Sequence, residues 1–215
     1  VGDGVGSISG ENESGNPYSR RSYFVILRRL ILAGVVTAWL AAGSVARAHA
    51  QSLSAQEYEN QVKATFIYNF SRFIDWPNGT FTGGRSPLTV CVLGDNPFGG
   101  ALDSIKGKDV KGRKIQIKRL TSFLKLDTCQ ILFISSSERA HLREILKSAR
   151  HARILTIGEM YQFTQAGGIV ALAMRKNRIH FSVNLDAADE TGVRISSRVL
   201  RLATVVNYSH RGEGR

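Results

Sequence analysis

Apolar positions along the chain fall into two repeating patterns, one helical and one extended, and together they sketch most of the fold. From Tyr58 to Ile74 the apolar residues Tyr58, Val62, Phe66, Phe70 and Ile74 recur at i+4, with Ile67 and Phe73 beside them. That spacing predicts one helix over residues 55–76 with an aromatic face turned inward and Lys63, Arg72 and Asp75 reaching water. Trp76-Pro77 ends it, because the residue before a proline is pushed out of the helical region. Two runs are nearly continuous in apolar residues, Leu88–Leu93 and Gln130–Ile134, as in strands covered on both faces. Lys114–Leu120 alternates Ile115 and Ile117 with polar neighbours, which predicts a strand with one exposed face.

The remaining elements follow from local signals. Residues 94–100, Gly-Asp-Asn-Pro-Phe-Gly-Gly, read as a turn entering a helix near Ala101–Ile105. Ser135-Ser-Ser-Glu138 is a capping sequence, and Leu142, Ile145 and Leu146 give the helix after it an apolar stripe. A strand at Arg153–Ile157 and a short helix at Met160–Ala166 come next. Arg175-Lys-Asn177 then joins two strands, Gly168–Met174 and Arg178–Val183, as a hairpin, and Ile195–Ala203 reads as a closing helix. Strands alternating with helices, then a hairpin, predict an α/β fold with a largely parallel sheet. There is no internal repeat and no linker that would divide residues 51–215.

Ahead of this domain lies an export signal. Arg28 and Arg29 precede an apolar run, Leu30–Gly43, and a small-x-small site at Ala48-His49-Ala50. Cleavage after Ala50 would start the mature chain at Gln51. The competing reading is a retained anchor, but the run is shorter than the roughly 18–20 residues a spanning helix needs. Residues 1–27 read as an unstructured extension or an early start. Ser19-Arg-Arg-Ser-Tyr-Phe weakly matches a twin-arginine signal, whereas the arginine pair nearer the apolar run favours the general secretory route.

Export changes what the charge means. The whole chain carries 29 basic and 17 acidic residues, and loss of residues 1–50 leaves a net charge of +10. Outside the inner membrane such a charge points to acidic protein surfaces or to contact with anionic lipid, and not to nucleic acid. The two cysteines, Cys91 and Cys129, in an oxidising compartment predict a disulfide; the alternative is two buried thiols that never meet.

No catalytic constellation emerges. His141, His151, His180 and His210 show no metal-ligand spacing, and His180 reads as a surface-facing strand residue. There is no Walker A sequence and no Gly-x-Ser-x-Gly elbow. The basic run from Lys106 to Arg119 has no interleaved aromatics and reads as a solvated, aggregation-resistant edge. These observations predict no enzyme, no cofactor and no metal. A crevice at the carboxyl ends of the parallel strands leaves room for a second reading, a small-molecule-binding protein feeding a transporter or a sensor kinase.

Seven segments in order carry a family resemblance: Val62–Phe70 running on to Trp76-Pro77, Cys91–Gly99, Cys129–Ser135, Gly167-Gly168-Ile, Asn177–Phe181, Asn184–Ala187 and Ile195–Ala203. The chain resembles the YfiR family of periplasmic regulators. The resemblance implies a Rossmann-like α/β fold, a homodimer, and repression of a membrane-bound diguanylate cyclase through its periplasmic domain. Lower cyclic di-GMP and less biofilm would follow. Phe66, Asn69, Phe70, Trp76 and Pro77 make up the signature core of the family's first segment, with Phe66, Phe70 and Trp76 expected to be buried, and Cys91 and Cys129 fall where the family has a cysteine pair. A second pair present in some members is absent after Ala149. Arg198 and Arg201 of the closing helix are the expected partner-binding residues.

Overall fold

The computed structural model of the chain describes residues 55–207. The extension, the signal segment, Ala50 and His210 therefore lie outside the described residues. Residues 55–71 form α1. They lead through β1 (Ile74–Asp75) to β2 (Leu88–Leu93), a short 3-10 helix (Ala101–Ser104), β3 (Asp109–Val110), β4 (Arg113–Leu120) and β5 (Ile131–Ile134). A second 3-10 turn (Ser136–His141) runs into α2 (Leu142–His151), followed by β6 (Leu155–Gly158), β7 (Val170–Arg175) and β8 (Arg178–Asn184). α3 (Leu185–Thr191), β9 (Arg194–Ile195), α4 (Ser197–Leu200) and β10 (Thr204–Val206) complete the chain.

Eight strands form one sheet in the order β10-β8-β7-β6-β5-β2-β4-β3, and β1 pairs with β9 in a separate two-stranded ribbon. β2 is parallel to both β4 and β5, and β5–β6 and β6–β7 are parallel too. The expected hairpin is the antiparallel pair β7–β8. Its two turn residues, Lys176 and Asn177, both have positive φ, the geometry that suits the twist of a tight hairpin. The chain then adds β10 outside the hairpin, parallel to β8.

Alternation along the strands builds two apolar layers. Val90, Val92, Ile131, Phe133, Leu155 and Ile157 face α1 through Ala64, Ile67 and Phe70, and Ala187, Ala188 and Val199 join the same cluster. Cys91, Leu93, Leu132 and Ile134 face the other way, onto Ile145, Leu146 and Ala149 of α2. Helices thus cover both faces, which is why β2 and β5 are buried along their whole length.

Several local expectations are corrected. α1 stops at Ser71, short of Trp76, because Ile74 and Asp75 pair with Ile195 and Arg194. The Ser71 hydroxyl donates to the Tyr68 carbonyl at 2.7 Å, and Phe73 N–H donates to Phe70 at 2.9 Å, tightening the exit. The hydroxyls of Ser135–Ser137 do not cap the following helix. Ser137 Oγ instead accepts from Asp95 N–H at 3.0 Å. Residues 160–166 form a succession of turns rather than a helix, with Gln162 at φ 60°. The closing helix keeps only Ser197–Leu200, since Ile195 belongs to β9 and Thr204–Val206 join the sheet.

α3 is an element the apolar pattern does not announce. Asn184 caps it, with Oδ1 accepting from Ala187 N–H at 3.0 Å and Nδ2 donating to the Thr164 carbonyl at 2.9 Å. Gly192 ends it in the left-handed region at φ 73°. Asn184 is buried, so Asn184→Ala removes a cap and one of the hydrogen bonds to the Thr164 carbonyl, which keeps the Gly167 N–H at 3.2 Å; the expected loss is about 1–2 kcal/mol, read from a urea midpoint.

Candidate functional site

The residues of the first segment separate into a packing group and an anchoring group. Phe70 is buried and Phe66 is half-buried, and their rings meet Phe181 of β8 at 6.0 and 5.0 Å between centroids. Asn69 is exposed on the outer side of α1 and Tyr58 is 53% exposed. The face that goes inward is therefore rotated from the expected one: Lys63, Ala64, Ile67 and Phe70 line it, while Tyr58, Val62 and Phe66 sit at its rim. Trp76 and Pro77 are half-buried. The Trp76 ring meets Phe81 edge-on at 5.9 Å, and the Arg113 guanidinium lies 3.7 Å over the same Phe81 ring. Lys111 donates to the Ile74 carbonyl at 2.8 Å and pairs with Asp75. This group ties β1 and the loop after it to the β3–β4 turn.

Lys63 is the residue that sequence reasoning placed wrongly. It was expected in water; it is 4% exposed. Its ammonium pairs with Glu59 Oε1 at 2.6 Å and Glu159 Oε1 at 2.9 Å, and donates to Glu159 Oε2 at 3.1 Å. Burial alone pushes the ammonium pKa down. Hydrogen bonds to Glu59 and Glu159, and their charges, outweigh it, so the pKa lies above the ordinary lysine value. The clue in the sequence was the register: Lys63 stands four, seven and eleven residues before Ile67, Phe70 and Ile74, on the deepest stripe of the helix.

Glu159 follows β6 directly, so this clamp fastens α1 at the carboxyl edge of the parallel strands. The chain reverses direction across the sheet between β2 and β5, where α/β sheets commonly open a ligand crevice. Here that place is filled. A Cβ on Gly94, at φ 82°, would lie 2.3 Å from Ser137 Oγ and 2.8 Å from Glu138 Cγ, so the turns after β2 and β5 pack directly on each other. An open cleft of ≈ 540 Å³ lies to one side, between Gln56, Asn60 and Gln61 of α1 and residues 98–101.

Cys91 and Cys129 are joined in a disulfide across a separation of 38 residues, with Cα atoms 5.8 Å apart. Cys91 sits on β2 and Cys129 two residues before β5, so the bond spans neighbouring strands. Both sulfur-bearing residues are buried among Leu93, Leu126, Leu132 and Ile145. His180 is exposed on β8, as expected. No group of His, Cys, Asp and Glu among the described residues is arranged to hold a metal ion. Arg198 and Arg201 are exposed on and just after α4, far along the chain from the α1 cluster and not in contact with the disulfide. No helix among the described residues is long and apolar enough to cross a membrane.

Comparison with known proteins places this arrangement. Residues 60–204 match the family described as YfiR/HmsC-like. Among solved structures, a conserved domain protein of Vibrio cholerae is similar at 12% identity and a TM-score of 0.41, over 56% of this chain and 54% of that one. A Streptococcus pneumoniae ABC domain in complex with L-Trp gives 10% identity and a TM-score of 0.41, over 55% of each chain. A Clostridium difficile substrate-binding protein with adhesive properties, in its ligand-free open form, gives 13% and 0.41, over 56% of this chain and 54% of its own. The chain spans about half the length of each of these structures.

Proposed function

The chain belongs to the YfiR/HmsC-like family, and from that premise we propose that it is a periplasmic regulator that represses an inner-membrane diguanylate cyclase by binding its periplasmic domain. The observation that carries the reading is the family match, which takes in most of α1, strands β1 to β9 and α4. The family is regulatory and not known for enzymatic activity. The mature domain would be residues 51–215, freed by cleavage after Ala50 and held as a homodimer. A buried disulfide suits an oxidising compartment, and the filled crevice at Gly94 suits a protein that acts through its surface.

A regulator of this kind works by favouring one state of its partner, so its binding free energy must differ between the active and inactive cyclase. Crosslinking in cells of the native host, followed by identification of the captured membrane protein, tests the partner. Recovery of a cyclase or a sensor kinase with a periplasmic domain is the expected result; recovery of a transporter component would favour the small-molecule reading. That second reading has the cleft beside Gln56 and Asn60 as its site, and periplasmic metabolites that raise the unfolding midpoint would reveal it.

A further inference from the structure

The two edges of the eight-stranded sheet are finished differently. At one edge β4 is covered by the short antiparallel β3, and bonds from Gly107 N–H to Ile115 and from Ile115 N–H to Lys108 extend that cover. Lys106, Lys108, Lys111, Lys114 and Lys118 crowd this side. Solvated lysines on a folded-back edge discourage further pairing.

At the other edge β10 pairs with β8 only through Ser182–Asn184. The outer side of β10, and of β8 from Arg178 to Phe181, has no strand against it among the described residues. Val205 is paired with Val183, so its side chain lies on the same sheet face, yet it is 40% exposed, and Leu202 just before the strand is 78% exposed. The charges at the start of β8 and in the segment leading into β10 are mainly arginines: Arg175 and Arg178 flank the hairpin turn, Arg198 lies in α4 and Arg201 caps it, all exposed, and none in an ion pair among the described residues. Residues 175–184 and 194–207 contain no Asp or Glu. A guanidinium presents a planar fork that matches a carboxylate with two parallel hydrogen bonds, which a lysine cannot do.

Taken together, the free backbone edge, the half-open apolar positions and the unpaired arginines point to one occupant. We propose that the β10–β8 edge is a strand-addition site for an extended segment of a partner protein that alternates acidic and apolar residues. Main-chain bonds to the edge supply affinity, Val205 and Leu202 take the apolar side chains, and the arginines select carboxylates. The proposal rests on the partner-binding reading and adds the chemistry of the partner.

The probe is a capped, fluorescein-labelled octapeptide alternating glutamate and valine, titrated into the full mature chain and followed by anisotropy. Saturable binding that weakens with salt is expected, and Arg198→Glu with Arg201→Glu should lower affinity at least about tenfold, the equivalent of about 1.4 kcal/mol. Both arginines are exposed, so an unchanged melting curve certifies that the variant is folded. A strand added to one edge uses only alternate amides. Of two peptides N-methylated on alternate residues, one should therefore lose binding and the other keep it. Equal binding of both methylated peptides, equal binding of a lysine–valine peptide, or no saturable binding overturns the proposal. So does a dimer that Val205→Lys dissociates and the acidic peptide does not, since a second copy would then hold the edge. If the peptide fails while deletion of the gene still raises cyclic di-GMP, only the strand-addition site falls.

Discussion

Replacing Lys63 with methionine is expected to destabilise the protein by about 2–3 kcal/mol although the apolar stem is kept. Losing one member of a buried ion pair commonly costs about 3–5 kcal/mol, and the figure is reduced here because Glu59 and Glu159 are about a third and a quarter exposed, so water screens the charges left behind. Those two carboxylates would then face each other without the cation between them. Lys63→Met with Glu159→Gln should accordingly be more stable than Lys63→Met alone, a coupling that urea denaturation of the four variants measures. The pH dependence has a definite sign. The folded-state pKa of Lys63 is raised, so its contribution is fully present below the unfolded lysine value of about 10.4 and is lost as pH rises through the folded value. The gap in stability between wild type and Lys63→Met should be constant from pH 7 to 9 and shrink above about pH 10.4. A gap that does not change over that range would mean the lysine contributes through packing and not through its charge.

The largest single loss is expected from the disulfide. Closing a loop with a separation of 38 residues stabilises by about 4 kcal/mol in the chain-entropy account. The loop holds the whole excursion through β3 and β4 between two adjacent strands of the sheet. Cys91→Ala with Cys129→Ala should lower the melting temperature by about 8–16 °C for a domain of this size, and calorimetry reads it directly. Both cysteines are buried in the layer under α2, so an attacking thiolate reaches neither until that layer opens. Excess reductant at neutral pH should leave the bond intact in the native protein and break it once urea is added. Rapid reduction without unfolding would instead make the pair a redox switch.

The residues that could be read correctly from the sequence are those whose environment is set by near neighbours. Leu88–Leu93 and Ile131–Ile134 are apolar on both sides because both faces of the sheet are covered, and a continuous apolar run says so. The Arg175-Lys-Asn177 turn was legible as a short polar break between two apolar strand patterns, and the structure gives Lys176 and Asn177 the positive φ that suits a tight hairpin. The misreadings all depend on distant partners. Lys63 goes inward because Glu159 is 96 residues away in sequence and 2.9 Å away in space. α1 ends early because Ile195 claims Ile74, and the Ser137 hydroxyl is spent on Asp95 rather than on its own helix. β10 is three residues long, too short for its alternation to stand out from the helix expected there.

The site residues follow the same division. The pairing of Cys91 with Cys129 needed only two cysteines and a compartment. Phe66, Phe70 and Trp76 were legible as packing residues, but how deeply each is covered depends on Phe181 and Phe81, contributed by other parts of the chain. Arg198 and Arg201 were singled out for exposure and charge. What the fold adds is that the chain just after them forms β10, which has no strand on its outer side among the described residues, and no reading of residues 195–203 as a helix could supply that.

Repression of a diguanylate cyclase is the central claim, and the cyclic di-GMP content of cells with and without this gene tests it most directly. Deletion should raise the nucleotide and increase biofilm, and the exported wild-type chain supplied in trans should restore both to the parental level. Unchanged cyclic di-GMP in the deletion strain, under conditions where the parent produces the protein, would contradict it.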